Sequence, residues 1–549
     1  MPLIGVEAGA AAAVAWAAST VIAAYFADRA GLPLAPIALL PLSLGAALAV
    51  LGWLRRRSVP DRSALAAFAL IVLGAFTWLM WRARPAFLPT GTGSDLTHHL
   101  ALLAYIEQHG RLPHDAALGA YLGEMIDYTP GLHLLAVLAG AWLRLDALHA
   151  VHAVVAATVA LKSGLVLLIA RRLIADGVPR LAFAAAAVLL LWLPYIFFAG
   201  SFMEQSFLAQ VVSELFAIAM WWTLIVWDEQ PSVPAMVLFA LFGAAAFLTW
   251  PVWIGPLALT LAAVALAHRE MAWTRRLQHL AIALVPIGIV AAMYAVAREV
   301  YGFEMVNAVG FAVRPSPRTL TWPFLVLGAG GLVRALINRR ARTAAWLFLA
   351  IALQGAALSL TGRSSGATAP YLSLKMAYLA IYPLAVGAAA LLGSAWRTAL
   401  GPERAARHAW GALVVVALGV GVSVAKAPSP RPVITQPLFL AGAWARAHLP
   451  PACVDYLVAD GDSGYWLHLA VLGNPRAAGR SLENSTFEPK QAIVRWILPG
   501  GLPYAIAGDF DALPRDIRTN VDVLARFGPA AVVQRRGPSA CDSKPSRLP

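Results

Sequence analysis

Charge is the scarcest commodity in this sequence, since only 13% of its 549 residues are Asp, Glu, Lys or Arg. A soluble domain carries about 25%. Two cysteines in the whole chain exclude a small disulfide scaffold, and the same composition excludes disordered and collagen-like chains. What is abundant instead is apolar: 60% of the residues are hydrophobic and the mean hydropathy is +0.70. A polytopic α-helical membrane protein is the class that remains. Acidic residues are few even against the other charges, 28 against 42 Lys and Arg, for a net charge of +14. In a soluble chain that excess would point to nucleic acid. Here it belongs to cytoplasmic loops lying against an anionic leaflet, and no nucleic-acid partner is expected.

A span needs about 20 mostly apolar residues. Thirteen segments meet that test: 8–27, 34–54, 64–81, 148–170, 181–199, 207–227, 234–249, 252–268, 277–297, 319–337, 343–361, 371–393 and 408–426. The stretch from Leu132 to Leu143 is too short and reads as a re-entrant or interfacial helix. With the N-terminus inside, the six cytoplasmic loops hold 16 Lys and Arg, against 5 in the short outer loops. Letting 132–143 cross would move Arg171, Arg172, Arg339, Arg340 and Arg342 outside, against the positive-inside rule. The first apolar segment lacks a basic leader and reads as a span, not as a cleavable signal.

Residues 1–426 therefore form the membrane domain, with a long first external loop at 82–147, and 427–549 form a small external α/β domain. The linker Ala427–Pro432 is Pro-rich and cannot continue a helix. In the tail, Cys453–Asp460, Tyr465–Gly473, Tyr504–Gly508 and Ala530–Gln534 read as strands, and Gln436–Leu449, Lys490–Ile497 and Asp516–Phe527 as helices. Both cysteines, Cys453 and Cys541, lie there, so either a disulfide ties the last strand to the first or both are unpaired.

Chemistry concentrates in the first external loop. Ser94 is a good N-cap for a helix running from Asp95 to His109, stopped by Gly110 and Pro113. Asp95, His99, Leu102 and Ile106 share one stripe of that helix, with His98 beside it. An acidic residue in a first turn favours the helix dipole. At the membrane boundary it is also a desolvated carboxylate, suited to act as a base, with His98 or His99 to orient it. Glu124, Asp127 and Tyr128 follow and are candidates for holding an acceptor, as are Glu204 and Gln205 in a short outer loop. No metal-ligand spacing is present, so no cofactor is required, although a divalent metal stays open.

Lys375 stands about one turn inside the outer end of a late span, below Tyr371. It either snorkels to the interface or pairs with a lipid phosphate, joined on the outer face by Arg363, Arg314 and Arg318. Lys162 and Glu214 lie within spans and can pair with each other as packing groups.

A multi-span domain followed by an external α/β domain, an Asp opening the first long loop, a His-bearing helix ending Gly110-Arg-Leu-Pro113, and Tyr128-Thr-Pro-Gly-Leu-His-Leu-Leu135 together resemble the GT-C superfamily of integral-membrane glycosyltransferases. The resemblance implies a polyprenyl-phosphate-linked sugar as donor and a glycan, lipid or protein of the cell envelope as acceptor. It implies Asp95 as the base or acceptor-positioning group, and Tyr371 and Lys375 as lipid-phosphate contacts. The expected enzyme is an inverting hexosyl- or pentosyltransferase of a bacterial cytoplasmic membrane, with its C-terminal domain outside. Two readings compete with it: a glycan polymerase or ligase using a lipid-linked oligosaccharide, and a transporter or flippase of a lipid-linked sugar. The odd number of spans and the lack of an internal repeat count against transport.

Overall fold

The computed structural model describes residues 3–541, apart from 85–86, 92–93, 176–177, 298–311, 339–340, 365–369, 426–431, 459, 475–495, 497–500 and 540. The first part of the chain is a helical bundle of α1 (Gly5–Arg29), α2 (Pro36–Arg55), α3 (Arg62–Arg82), α4 (Ser94–His109), α5 (Gly131–Leu143), α6 (Ala147–Leu173), α7 (Arg180–Leu190), α8 (Leu208–Glu229), α9 (Val233–Thr249), α10 (Ile254–Ala267), α11 (Trp273–Ala297), α12 (Trp322–Ile337), α13 (Arg342–Ser364), α14 (Tyr371–Leu400) and α15 (Pro402–Ala425). Leaving out α4 and α5, each of these helices overlaps one of the thirteen expected spans. Among the described residues nine are long and apolar enough to cross a membrane, and α7, α9, α10 and α12 are shorter apolar helices. Expected span 181–199 is cut short: α7 stops at Leu190, and the chain turns through Pro194, which cannot continue a helix.

The chain alternates between the two ends of the bundle. Near the start of α1, Glu7 meets Arg172 from the end of α6, while Asp28 at the other end of α1 accepts from the Leu112 amide. The second of these is called the loop end below. Both ends of α5 lie there: Gly131 packs on Thr249 at the end of α9, and the Trp142 indole donates to the Pro36 carbonyl at the start of α2. So α5 does not cross.

Helix α8 is encased, with Trp221, Trp222 and Trp227 buried, whereas α2, α3 and α15 keep mostly exposed apolar surfaces. A helix apolar all round that is not buried by protein is one that faces lipid. Lipid tails give helices no hydrophobic reason to associate, so close contact depends on small residues. Helices α12 and α14 meet that condition at Gly331, where a Cβ would overlap the Gly387 backbone.

The C-terminal region sits at the loop end. Its four-stranded sheet has the order β3–β4–β6–β5, where β1 (Leu3–Ile4) and β2 (Ser58–Val59) are a separate two-residue pair. Strand β3 (Val454–Leu457) runs parallel to β4 (Tyr504–Ala507), and β6 (Ala530–Arg535) is antiparallel to both β4 and β5 (Val521–Phe527). Helix α16 (Gln436–His448) is where the sequence places one.

Two expectations fail. Tyr465–Gly473 is not a strand: Asp460 caps α17 (Gly461–Trp466) through the Ser463 amide at 2.8 Å, and a π-helical turn continues to Val471. The run is apolar at nearly every position, so it lacks the alternation that tells strand from buried helix. Asp516–Phe527 is not one helix: α18 (Arg515–Thr519) ends before Asn520, and Val521–Phe527 turns at Gly528 into a hairpin with β6. The expected helix Lys490–Ile497 lies outside the described residues apart from Trp496, which is helical. Cys453 and Cys541 are disulfide-bonded, with their Cα atoms 5.6 Å apart.

Candidate active site

The sequence leading into α4 is held by the start of α8. The Ser206 hydroxyl donates to the Thr90 carbonyl at 3.1 Å, and Gly91 (φ +126°) lies so close that a Cβ there would overlap the Ser206 side chain. Only glycine combines that φ with that approach. Asp95 then falls in the first turn of α4; its side chain lies outside the described residues. Leu102 and Ile106 are buried in the bundle, as the apolar stripe requires.

The adjacent His98 and His99 of α4 point to different surroundings, as neighbouring helical positions do. His99 is buried, its Nδ1 3.0 Å from His133 Nε2, its ring stacked on His133 and meeting Tyr128 edge-on at 5.0 Å. His98 is partly buried, with Nδ1 2.6 Å from the Glu124 carboxylate and Nε2 2.5 Å from the Tyr465 hydroxyl of the C-terminal region. Asp127 is exposed, and its backbone carbonyl accepts from the Tyr294 hydroxyl.

On either side of Ser206 the chain reaches α14. Gln205 donates to the Ile196 carbonyl at 2.8 Å and accepts from the Tyr378 hydroxyl, and Phe207 lays its ring against the Lys375 ammonium. Tyr371 and Tyr378 complete an aromatic surround, with ring centroids 4.8 and 5.3 Å from Lys375 Nζ. Lys375 is only 1% exposed, too deep for a side chain that snorkels into open water. Its setting on aromatic faces is that of a cation–π site.

The arginines are at the rim. Arg314 and Arg318 are exposed in the turn before α12, where the backbone of neighbouring Val313 lies by the Tyr378 hydroxyl. Arg363 is exposed at the end of α13, next to Gly362, which abuts Pro370 at the start of α14. Glu204 lies against Tyr195 and Arg82, and burial pushes its carboxyl above the ordinary value.

No protein-family model and no curated protein sequence matches the chain. Among solved structures, ArnT from Cupriavidus metallidurans in its apo state is similar with a TM-score of 0.52 at 16% identity, over 86% of this chain and 100% of that one. Arabinofuranosyltransferase AftD from mycobacteria is similar with a TM-score of 0.53 at 15% identity, over 87% of this chain and 42% of that one. The fold is the GT-C fold. The chain spans less than half the length of AftD.

Within this GT-C fold, Glu124 and Tyr128 lie by the histidines of α4, Gln205, Phe207 and Tyr371 lie around Lys375 and its neighbour Tyr378, and the Ser206–Thr90 hydrogen bond links the lead-in to α4 with the start of α8. Sequence reasoning did not select Ser206, Phe207, Tyr378 or His133 as site residues. Tyr378 could have been found as the residue three after Lys375 on the same helix face. Ser206 and Phe207 carry no signal that separates them from packing residues, whereas His133 lies in the Tyr128–Leu135 stretch that carries the resemblance. Among the described residues no group of three or more His, Cys, Asp and Glu is placed to hold a metal ion.

Proposed function

We propose that the chain is a membrane glycosyltransferase. It takes a sugar from a polyprenyl-phosphate donor and passes it to a cell-envelope glycan, lipid or protein. The loop end then faces outward from a bacterial cytoplasmic membrane, because the opposite loops carry most of the Lys and Arg. The observation that carries this reading is the double grip around Ser206, which ties the lead-in to Asp95 and the buried Lys375 to the same short segment. Transfer from a lipid phosphate needs a base and a cation at one membrane boundary, and this grip supports Asp95 and Lys375 in those roles.

In that reaction Asp95 takes the proton of the acceptor hydroxyl as its oxygen attacks the anomeric carbon. The bond from that carbon to the phosphate oxygen breaks, and the electron pair leaves with the polyprenyl phosphate. Lys375, with Arg363 and Arg314 at the rim, stabilises the departing phosphate charge. Attack opposite the leaving group inverts the anomeric configuration. Glu124, Asp127, Tyr128 and Glu204 are the acceptor side of the site.

The test incubates purified wild type and Asp95→Asn in detergent with a pool of polyprenyl-phosphate sugars and an envelope extract, following free polyprenyl phosphate. Release by wild type and its loss in the variant, with an unchanged melting midpoint, is the expected result. Equal release by both would move the base away from Asp95. No release by either would overturn the transferase reading for that donor class.

A further inference from the structure

We infer that the C-terminal domain is a working part of this site, and that Tyr465 is a positioning residue fixing the His98 ring beside the Asp95 position. The Tyr465 side chain is buried, yet its hydroxyl crosses from the C-terminal domain to α4 and meets His98 Nε2 at 2.5 Å, with the two rings edge-on at 5.8 Å. A buried tyrosine hydroxyl needs a hydrogen-bond partner, and here that partner is an imidazole on the candidate catalytic helix.

Tyr465 is itself firmly placed. It belongs to α17, which Asp460 caps at the Ser463 amide, and the Ser463 hydroxyl reaches back to the Val433 carbonyl at 3.1 Å. The turn that follows, Leu467–Val471, is largely buried.

His98 is thus held at both ring nitrogens by two separate parts of the chain, Glu124 from the first loop and Tyr465 from the C-terminal domain. A carboxylate only accepts, so Nδ1 carries a proton. In the neutral ring Nε2 is then an acceptor, and the tyrosine hydroxyl donates to it. Glu124 therefore sets the tautomer of the neutral ring, and Tyr465 fixes its orientation from the other nitrogen. Residues 95 and 98 are three apart on α4, so their positions share a face of the helix. A ring locked at 98 sets the polar surroundings in which a carboxyl at 95 works. The same hydrogen bond makes docking of the C-terminal domain a condition for an ordered site.

The kinetic arm of the test rests on the transferase reading; the spectroscopic arm does not. Full-length protein labelled with nitrogen-15 at histidine is compared in detergent as wild type, Tyr465→Phe and His98→Gln, the last identifying the His98 signals. Wild type is expected to show a His98 Nε2 resonance shifted by a hydrogen bond, and Tyr465→Phe to lose that shift. In the polyprenyl-phosphate release assay, Tyr465→Phe is expected to lower kcat at least tenfold with the donor KM within twofold. The double variant with His98→Ala should be no slower than His98→Ala alone. An unchanged His98 signature in Tyr465→Phe overturns the inference, and so does a kcat within twofold of wild type. If wild type releases no polyprenyl phosphate, the transferase reading falls and the nitrogen spectra still decide the role of Tyr465.

Discussion

Lys162 and Glu214 meet inside the bundle, Nζ to Oε2 at 2.5 Å, with neither side chain exposed. Tyr382 adds a hydroxyl to the same carboxylate oxygen at 2.7 Å, and Gln210 reaches the other oxygen at 3.2 Å. The pair joins α6 to α8, and Tyr382 brings in α14, so three helices are pinned at one closed polar point. Glu214 therefore has its hydrogen bonds filled by protein groups, which fits packing better than ion passage.

Removing one partner leaves the other charged and buried without its counter-ion, which costs about 3–5 kcal/mol. Glu214→Gln and Lys162→Met are each expected to lower the melting midpoint in detergent sharply. The double variant Lys162→Met/Glu214→Leu should recover much of that loss. A double variant as unstable as the sum of the two singles would show that the residues do not act as a pair.

Lys375 is the cation for which the site has a defined setting, under Phe207, Tyr371 and Tyr378. If it stabilises the departing phosphate, Lys375→Gln lowers the rate of polyprenyl phosphate release by about 10²–10³-fold. Arg is not expected to restore the rate, since a planar guanidinium does not fit a space shaped round an ammonium. The check is single-turnover release with the donor saturating. A rate within twofold of wild type would return Lys375 to an anchoring role.

Much of the bundle was legible because lipid demands long apolar stretches and the loops between them are short and charged. The non-crossing α5 was legible from the same charges, since its length and the arginines after it agreed. Pro194 shortened α7 in a way hydropathy averages hide. In the tail the signals were weaker: the turn at Gly528 and the cap at Asp460 decided Val521–Phe527 and Tyr465–Val471, and single residues of that kind are outvoted in a periodicity count. His98, Glu124 and Lys375 stood out as ionisable groups near a membrane boundary. Tyr465 did not, because its partner lies 367 residues away and aromatic packing explains its surroundings equally well.

The disulfide ties Cys453, just before β3, to Cys541, beyond β6, across 88 residues of chain. Closing so long a loop restricts the unfolded chain, and losing the bond costs about 2–5 kcal/mol. Cys453→Ser is expected to destabilise the C-terminal region, and to reduce transfer as well if Tyr465 needs that region in place. Limited proteolysis with and without reductant reads the first effect, cutting the C-terminal region before the bundle. Identical digestion in both conditions would show that the bond adds nothing to folding.

Glu107 offers a test by pH at the join between α4 and α6. Its carboxylate accepts from the Ala147 amide at 2.8 Å, yet burial raises its pKa from the ordinary 4.5, with Asp146 adding to the rise, and the amide and Arg446 opposing it. A carboxyl whose folded pKa is raised binds its proton more tightly in the native state. Its favourable contribution is therefore present below the unfolded pKa and is lost as pH rises through the raised folded value. Glu107→Gln carries no charge at any pH and so escapes that loss. The melting midpoint of Glu107→Gln relative to wild type should consequently rise between pH 4.5 and pH 8. Melting curves of both proteins across that range provide the check, and a difference that stays flat or falls with pH would mean that the Ala147 and Arg446 contacts outweigh burial.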